Sequence, residues 1–295
     1  MGGFSWLEEG WLRLATSVSP FTLHTLFTFL IHEVAYWGTY VPYALMDRSA
    51  YFRKWKIQEH TYGYGSGSRH AKRLPGHDRM KMWRCVGYVA ANHLFLVLPL
   101  ILVTHPLFEM LGTTHSLPLP TVWEFGTQIF FCLLVEDVFF YFGHRLLHTP
   151  WLYRHVHSVH HQHTAPFGAA AEFAHPLEVV FLGLSTVAGP IIVGPHLFTL
   201  WGYLFLRCWQ TVDCHSGYDG PWSLNRWVPI YGGARQHDHH HKTFSGNYAS
   251  IFLHMDWFFG TDWAWRQSSA RQRRQGVLQT EKAAEGEQQV PVSGS

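Results

Sequence analysis

Histidine is the residue type in this chain whose spacing could do chemistry. There are 23 His among 295 residues, and 11 of them fall in the windows 144–163 and 237–241. Residues three and four positions apart lie on one face of a helix, so the spacing can aim several imidazole rings at one point. Neutral imidazole is the commonest metal ligand of proteins. The sequence therefore predicts metal binding by three motifs: HRLLH (His144, His148), HSVHH (His157, His160, His161) and HDHHH (His237, His240, His241).

The number of these ligands predicts two metal ions. Eight histidines from three segments exceed the capacity of a single tetrahedral zinc, which takes four ligands. Coordination by nitrogen alone suits Fe, Zn or Cu and disfavours Mg or Ca. The neighbouring His155, His163 and His239 are predicted to lie outside the ligand set.

Four residues outside the motifs are further candidates. His215, in the segment HSGYD, is predicted as a ninth ligand. Asp137 precedes His144 by seven residues, about two helical turns, so its carboxylate could accept an imidazole N–H and fix the tautomer; an interfacial carboxylate reaching for water is the alternative. For His175 and Asp219 the roles of ligand, hydrogen-bond partner and structural residue stay open.

Four apolar stretches can position these motifs, at about 21–46, 86–104, 122–142 and 177–206. A spanning helix needs roughly 20 apolar residues. The fourth stretch carries Gly189-Pro190 and Gly194-Pro195, and such pairs are turn signals. We therefore expect a hairpin of two helices, about 177–194 and 196–213, that starts and ends on one side of the membrane.

The charges of the loops predict the orientation of these spans. The loop 47–85 holds ten Lys or Arg residues and the loop 105–121 holds none. Cytoplasmic loops of membrane proteins carry the excess of positive charge, so the first loop is expected in the cytosol. The third span and the hairpin then put every histidine motif on that same face. The fold predicted is all-α, with about four spans and a cytosolic helical cap that holds a dimetal site.

Composition agrees with this organisation and excludes other classes. Only 14% of the residues are charged, against roughly a quarter in ordinary soluble domains. The net charge of +2 offers no basic face for nucleic acid, and the four cysteines form no CxxC pair. We expect an N-terminal segment at 1–20 without a cleavable signal, a membrane-embedded domain at 21–263, and a polar, disordered tail at 264–295.

At these residues the sequence resembles a known group of membrane di-iron enzymes. HRLLH, HSVHH and HDHHH are similar to the three histidine boxes of the fatty acid hydroxylase and sterol desaturase superfamily. APFGAAAEFAHPLE (165–178), DCHSGYD (213–219), GARQHDHHH (233–241) and FSGNYASIF (244–252) look closest to the C-4 methylsterol monooxygenases. The likeness runs from about His32 to Asp262. Gln236 and His239 depart from the residues that this group often has there, outside the HxxHH positions.

The resemblance implies an activity and its partners. Such enzymes act in the endoplasmic reticulum membrane and oxidise a sterol C-4 methyl group stepwise with O₂, before a partner decarboxylase or dehydrogenase acts. Two iron ions would be held by the eight box histidines and by His215, with zinc able to replace iron in purified protein. Electrons would come from NAD(P)H through a reductase and cytochrome b5, because the chain has no haem-binding domain or dinucleotide fingerprint of its own.

Other functions remain open at this stage. A sterol side-chain (cholesterol 25-type) hydroxylase, a C-5 sterol desaturase and a fatty-acid hydroxylase share the histidine boxes. A His-rich metal transporter would place histidines along the spans, which hold only scattered ones. Five aromatic residues of the cap could line a substrate pocket, or could belong to the core or the interfacial belt: Phe167, Phe173, Trp209, Tyr218 and Trp222.

Overall fold

The computed structural model describes residues 5–58, 76–271 and 274. Within those residues the chain is helical, and its only β pairings are isolated bridges. This confirms the predicted all-α class. The helices are α1 (Ser5–Ser17), α2 (Pro20–Thr22, a π-helical turn at Leu23–Phe27, and Thr28–Met46), α3 (Gly76–Asn92, a π-helical turn at His93–Val97, and Leu98–Met110), α4 (Val122–Leu147), α5 (Pro176–Val193), α6 (Leu197–Cys214), α7 (Gly233–Thr243), α8 (His254–Phe259) and α9 (263–271).

The helices predicted to span a membrane are present. Met80–Met110, Val122–Leu147 and Pro176–Val193 are each long and apolar enough to cross it, and α1 with α2 forms a fourth candidate that is bent by 114°. Large apolar side chains point outward from them; Val103 is 76% exposed and Trp123 is 79% exposed. Soluble monomers rarely expose wide apolar faces. The chain has the apolar helices and outward apolar faces of a membrane protein.

The predicted hairpin is also confirmed. Gly194 ends α5 in the left-handed region, at φ +57°, and its backbone is so close to the carbonyl oxygen of Leu111 that a Cβ would come within 2.5 Å. The chain then reverses into α6, whose first amide, that of Leu197, donates to the carbonyl of Thr114. The start of α5 and the end of α6 therefore lie on the same side, where the histidine motifs gather.

A buried ion pair, with a hydrogen bond from a third helix, joins α4, α5 and α6 at the centre of the bundle. The Glu136 carboxylate of α4 is fully buried and pairs with the guanidinium of Arg207 on α6. Tyr203 donates to the same carboxylate at 2.8 Å, and Thr186 of α5 donates at 3.2 Å. Ionisable groups inside a membrane almost always face the bundle interior and pair with one another. Glu136 thus orients α4, α5 and α6 relative to one another.

The N-terminal segment is part of the domain rather than an appendage to it. Trp11 of α1 is 5% exposed, and its indole N–H donates to the carbonyl of His115 at 2.8 Å. Its ring packs edge-on against that of Trp201 of α6. Burial of a Trp side chain contributes about 2–3 kcal/mol, so α1 is held on the bundle at the end opposite the histidines.

The start of the predicted disordered tail is ordered. Residues 263–271 form α9, whose Arg266 makes an ion pair one turn back with the buried carboxylate of Asp262. The carboxylate beside the first helical turn favours helix there. The rest of the predicted tail lies outside the described residues, apart from 274, and so does much of the basic loop. The cytosolic orientation stays a prediction.

The packing of α5 on α4 predicts a sensitive glycine. A Cβ on Gly189 would lie 2.6 Å from Cys132 Cα, whereas one on Gly183 of the same helix meets nothing within 4 Å. We expect Gly189→Ala to destabilise the protein by about 1–3 kcal/mol because the backbones must separate. Gly183→Ala, the matched control, should be neutral or slightly stabilising. Thermal unfolding in detergent measures both, and equal midpoints for the two variants would contradict this packing.

Candidate metal centre

The first histidine motif lies at the end of α4. His144 belongs to its last turn and His148 is the residue that caps it. The two rings are therefore one turn apart and meet edge-on, with centroids separated by 5.1 Å. This is the i, i+4 arrangement expected from the sequence.

The second motif is not on a regular helix. Tyr153–His157 is a π-helical turn and His160–Gln162 is a 3-10 turn. The π-helical turn is wider than an α-helix and the 3-10 turn is tighter, so both rotate the side chains away from the positions that an α-helix would give them. His157 and His161 reach one cluster of imidazoles, and His160 reaches another.

The third motif divides in the same way on a regular helix, α7. His237 and His241 are one turn apart and their Nε2 atoms are 3.0 Å apart. His240 is about 100° around the helix from His241, and its Nε2 lies 3.2 Å from that of His148. Each HxxHH motif therefore supplies both clusters, and its three rings do not meet at one point.

The structure brings all nine predicted ligands into two groups, in each of which the candidate ligand atoms lie within 4.8 Å of one another. Site 1 contains two residues from the first motif, two from the second and one from the third. Site 2 contains one from the second, two from the third and the separate His215. The members of site 1 are His144, His148, His157, His161 and His240; those of site 2 are His160, His215, His237 and His241.

Backbone carbonyls fix the tautomers of five of the nine rings. His144 Nδ1 lies 2.9 Å from the carbonyl oxygen of Tyr248 and His215 Nδ1 lies 2.7 Å from that of Thr211. The same contact is made by His160, His240 and His241 with the carbonyls of Phe173, Gly246 and His163. A carbonyl only accepts, so each Nδ1 carries the proton. The Nε2 lone pair of each ring is left free to bind a metal.

These lone pairs converge at distances that fit a shared metal ion. Neighbouring Nε2 atoms are 3.1 Å apart between His144 and His157 and 2.8 Å apart between His215 and His237. Two nitrogens bound to one transition metal at about 2.1 Å lie about 3.0–3.4 Å apart. Two neutral rings that both donate through Nδ1 cannot hydrogen-bond through Nε2. A cation between them relieves the repulsion, so the donor set fits two transition-metal ions.

Burial keeps the rings in the form that binds metal. It holds the pKa of His148 at about 2 and that of His160 at about 4. Burial and the neighbouring imidazoles also lower the pKa values of His237 and His241 well below the ordinary range. The charged form is disfavoured because it would lose hydration and repel nearby rings. The imidazoles are therefore neutral at physiological pH, as metal ligation requires.

A carboxylate that the sequence analysis did not select supports site 1. Glu178 is 2% exposed and its Oε1 lies 2.8 Å from His157 Nδ1. It occupies the first turn of α5, three residues after the His175 that was considered. Two features of the sequence could have predicted a role for Glu178: it follows a segment rich in histidine motifs, and it lies in an apolar helix. A carboxylate buried in such a helix is costly without a partner.

The structure does not bring the three other candidates to either site. Asp137 accepts hydrogen bonds from the backbone amides of Ile251 and Phe252 instead of from a box histidine. Asp219 pairs with Arg226 at 3.1 Å. His175 caps α5, accepting from the amide of Leu177. Each carboxylate or ring is committed to local backbone or surface partners, so these three hold the cap together.

The histidines expected outside the ligand set are indeed outside both groups. His155 lies against Trp151, whose carbonyl it contacts at 2.8 Å. The carbonyl of His163 contacts His241 Nδ1, and its ring packs edge-on against Phe167 and Phe173. His239 faces Asn247, and the neighbouring Gln236 donates to Asp256 at 3.1 Å.

An elongated cavity of about 300 Å³ ends at the metal centre. Its wall follows α6 from Leu197 to His215, roughly 27 Å of helix. Aliphatic side chains form the middle of it, among them Leu100, Ile101 and Leu204. The histidines that line its inner end are His144, His157, His160, His215 and His237. A long apolar molecule in this cavity would place one end beside both sites.

The aromatic residues considered for pocket lining belong to other contacts. Phe167 and Tyr218 are buried in a core cluster beneath the cap, where Phe173 packs against them. Trp209 stacks on Tyr231. Trp222 packs edge-on against Trp55. None of the five is in the wall of the described cavity; the aromatic residues there are Phe108 and Phe140.

Comparisons with known proteins agree on one family. A family model described as fatty acid hydroxylase matches residues 129–261, a range that contains all nine histidines. Very-long-chain aldehyde decarbonylase GL1-11 of Oryza sativa subsp. indica is 42% identical over 273 residues, 92% of this chain and 97% of its own. The chain belongs to the fatty acid hydroxylase family.

Two further relatives carry a different name. Methylsterol monooxygenase 2-2 of Arabidopsis thaliana is 40% identical over 94% of this chain and 99% of its own length. Methylsterol monooxygenase 2-1 of the same organism is 39% identical over 90% and 98%. No solved structure matches the chain.

The division of the nine rings into two sites predicts how metal is lost. His241→Ala should lower the bound metal by about one ion per chain, because site 2 loses one of its four ligands. His155→Ala, which removes a histidine outside both sites, should leave the wild-type content. Elemental analysis of dialysed protein measures this. Wild-type metal content in both His241→Ala and the site 1 variant His157→Ala would contradict the assignment.

The Glu178 contact predicts a weaker effect on site 1. Glu178→Gln keeps the shape but removes the charge that holds the His157 N–H, so metal affinity should fall about 10–100-fold. Glu109→Gln, at a half-exposed carboxylate of α3, is the control. Competition with a chelator gives the dissociation constants, and unchanged values for Glu178→Gln would remove Glu178 from the metal centre.

Proposed function

We propose that the protein is a membrane-bound di-iron monooxygenase that oxidises a methyl group of a methylsterol with O₂. The observation that carries the proposal is the pair of all-histidine sites at the inner end of a long apolar cavity. The names of the Arabidopsis relatives supply the substrate class. Sites 1 and 2 would each hold one iron, which zinc could replace in purified protein.

The residues of the chain would prepare the reaction rather than perform it. Iron bound at the two sites would supply the oxidising power that an unactivated C–H bond requires, which no side-chain acid or base has. The carbonyls that accept from His144 and His215 hold each Nε2 in place before metal binds. Burial keeps the rings neutral, and the surrounding helices keep water away from the reacting carbon.

The cavity would determine which carbon is oxidised. Its aliphatic walls suit the rigid apolar rings of a sterol, and its inner end would receive the ring that carries the C-4 methyl group. Helices that line the cavity also face lipid, so the substrate would enter from the bilayer. Electrons would reach the site from NAD(P)H through a reductase and cytochrome b5, and a decarboxylase or dehydrogenase would act on the product.

The need for electron carriers also indicates the membrane in which the protein lies and the side that sites 1 and 2 face. We infer an endoplasmic reticulum membrane, with sites 1 and 2 facing the cytosol where such electron carriers are available. The ten basic residues of the loop 47–85 support this side for the cap.

Long-chain aldehyde turnover is the second candidate function, favoured by the name of the rice relative. A long aldehyde would also fit an elongated apolar cavity with its reactive carbon at the metal ions. The side-chain hydroxylase, desaturase and fatty-acid hydroxylase alternatives share this geometry. A metal transporter fits less well, because the aliphatic middle of the cavity offers no continuous chain of ligands for an ion.

Product identification tests the proposal directly. The full chain in lipid nanodiscs, loaded with Fe(II) and supplied with NADPH, a cytochrome b5 reductase, cytochrome b5 and O₂, would receive a 4-methylsterol or a long-chain aldehyde. We expect a sterol 4-hydroxymethyl or 4-carboxyl product by mass spectrometry, and no product with His160→Ala. Turnover of the aldehyde alone would favour the second candidate, and sterol turnover by His160→Ala would refute the metal assignment.

The cavity wall predicts a variant that separates substrate binding from metal binding. Ile101→Trp would fill the apolar passage, so kcat/KM for the sterol should fall at least tenfold while metal content stays at the wild-type value. Val103→Trp on the lipid-facing side of the same helix is the control. Steady-state kinetics and elemental analysis measure the two properties. Equal kcat/KM for both variants would show that this cavity is not the substrate path.

A further inference from the structure

A second group of polar side chains lies within the apolar helices, apart from sites 1 and 2. Two of its members are on α2, one begins the π-helical turn of α3, and one precedes α5. Short π-helical turns inside α-helices occur frequently at functional sites. The first three are also outside the stretch that the fatty acid hydroxylase model matches. The members are His32, Glu33, His93 and Glu172.

One carboxylate oxygen is shared by the two histidines. Glu33 Oε1 lies 3.0 Å from His32 Nδ1 and 2.8 Å from His93 Nδ1. The other ring nitrogen of His93, Nε2, lies 2.8 Å from Glu172 Oε2, in hydrogen-bond geometry. His93 is 1% exposed, so water cannot serve either nitrogen.

The contact between His93 Nδ1 and Glu33 Oε1 is short, at 2.8 Å. Its angle departs from that of a linear hydrogen bond, so His93 Nδ1 has no partner in good hydrogen-bond geometry. The oxygen therefore lies to the side of the line along which a ring N–H would point. Ligands of one cation have this relation. His32 Nδ1 and the same oxygen are in hydrogen-bond geometry at 3.0 Å, but all three atoms lie within 4.8 Å of one another, close enough to share one ion.

The remaining atoms of the group are held from outside. The indole N–H of Trp37 donates to Glu33 Oε2 at 2.8 Å, which leaves Oε1 directed to the histidines. Glu172 accepts from His93 Nε2, and its Oε1 lies 3.7 Å from His32 Nε2. A carboxylate behind a ligating histidine is the usual means of fixing its tautomer and raising its basicity.

The charges also call for a cation. The side chains of Glu33 and Glu172 are only 23% exposed, and a carboxylate with so little access to water is costly without a cationic partner. Within residues 5–58 and 76–271, the ion pairs of Glu33 and Glu172 are formed with histidines and never with Lys or Arg. A dication among them would balance both carboxylates while the rings stay neutral.

We propose that His32 Nδ1, His93 Nδ1 and Glu33 Oε1 bind a third metal ion, with Glu172 accepting the Nε2–H of His93. Two imidazoles and one carboxylate suit a divalent transition metal such as zinc and do not suit magnesium or calcium. The site adjoins the cavity, since His32 and Glu172 are in its wall. The ion would join α2, α3 and the segment before α5. The rival arrangement is a doubly protonated His93 between the two carboxylates, with no metal.

Metal stoichiometry distinguishes the two arrangements. The full chain in detergent would be saturated with Zn²⁺, freed of excess by gel filtration and measured by mass spectrometry of zinc against protein. We expect about three ions in the wild type and about two in both His93→Gln and Glu33→Gln. Glu33→Gln keeps an acceptor for Trp37 and should fold. His105→Gln, at a buried histidine of α3 outside the group, should retain about three.

A double variant tests whether the third site is independent. His93→Gln should remove one ion from the His241→Ala protein as well as from the wild type, and chelation should lower the wild-type melting temperature more than that of His93→Gln. A wild-type content of two ions would overturn the proposal. So would His93→Gln and Glu33→Gln proteins that fold and bind as much zinc as the wild type.

Discussion

Imidazole lone pairs that face one another at sites 1 and 2 repel, and the bundle is built to hold them in place until metal binds between them. Backbone carbonyls accept hydrogen bonds from the Nδ1–H groups of rings such as His144 and His240. The Nε2 atoms of these rings are therefore acceptors only. Neutral rings without a cation between them would separate. The neutral state follows from burial, which makes the charged ring costly. The Nδ1–carbonyl hydrogen bonds therefore have two effects. They make the centre costly to form without metal, and they hold the Nε2 lone pairs in the positions that a metal ion requires.

The bundle supplies what this centre requires, which is rigid positioning from distant parts of the chain. Glu136 and Arg207 join α4 to α6 in the apolar interior, and each of these helices ends at a histidine of a different site. Breaking a buried ion pair typically costs about 3–5 kcal/mol. The helical hairpin returns the chain to its starting side, so Glu178 at one end and His215 at the other serve neighbouring sites. The apolar cavity lies between the helices that hold the metals.

Much of this architecture was readable from patterns. The apolar stretches predicted the spans and the Gly-Pro pairs predicted the hairpin. The histidine spacing selected eight of the nine rings that the structure gathers, and the ninth, His215, was predicted separately from the segment that follows the hairpin. The division of each HxxHH motif between two sites was not readable, because it depends on the π and 3-10 turns around His157 and His160 and on where α7 docks. Glu178 was missed for a similar reason, since its role appears only when α5 lies beside His157.

The sequence by itself determined the ligand type, the number of candidate rings and the membrane character, because residue chemistry and periodicity are local properties. Tertiary structure alone decided the partners of the carboxylates. Asp137 has the helical spacing to accept a hydrogen bond from His144, yet its carboxylate accepts from the backbone amides of Ile251 and Phe252. Glu33 and His93 are 60 residues apart and gave no shared motif, yet packing of α2 on α3 brings them within 2.8 Å. A hydrogen bond or ion pair between distant residues depends on backbone placement, which no local pattern encodes.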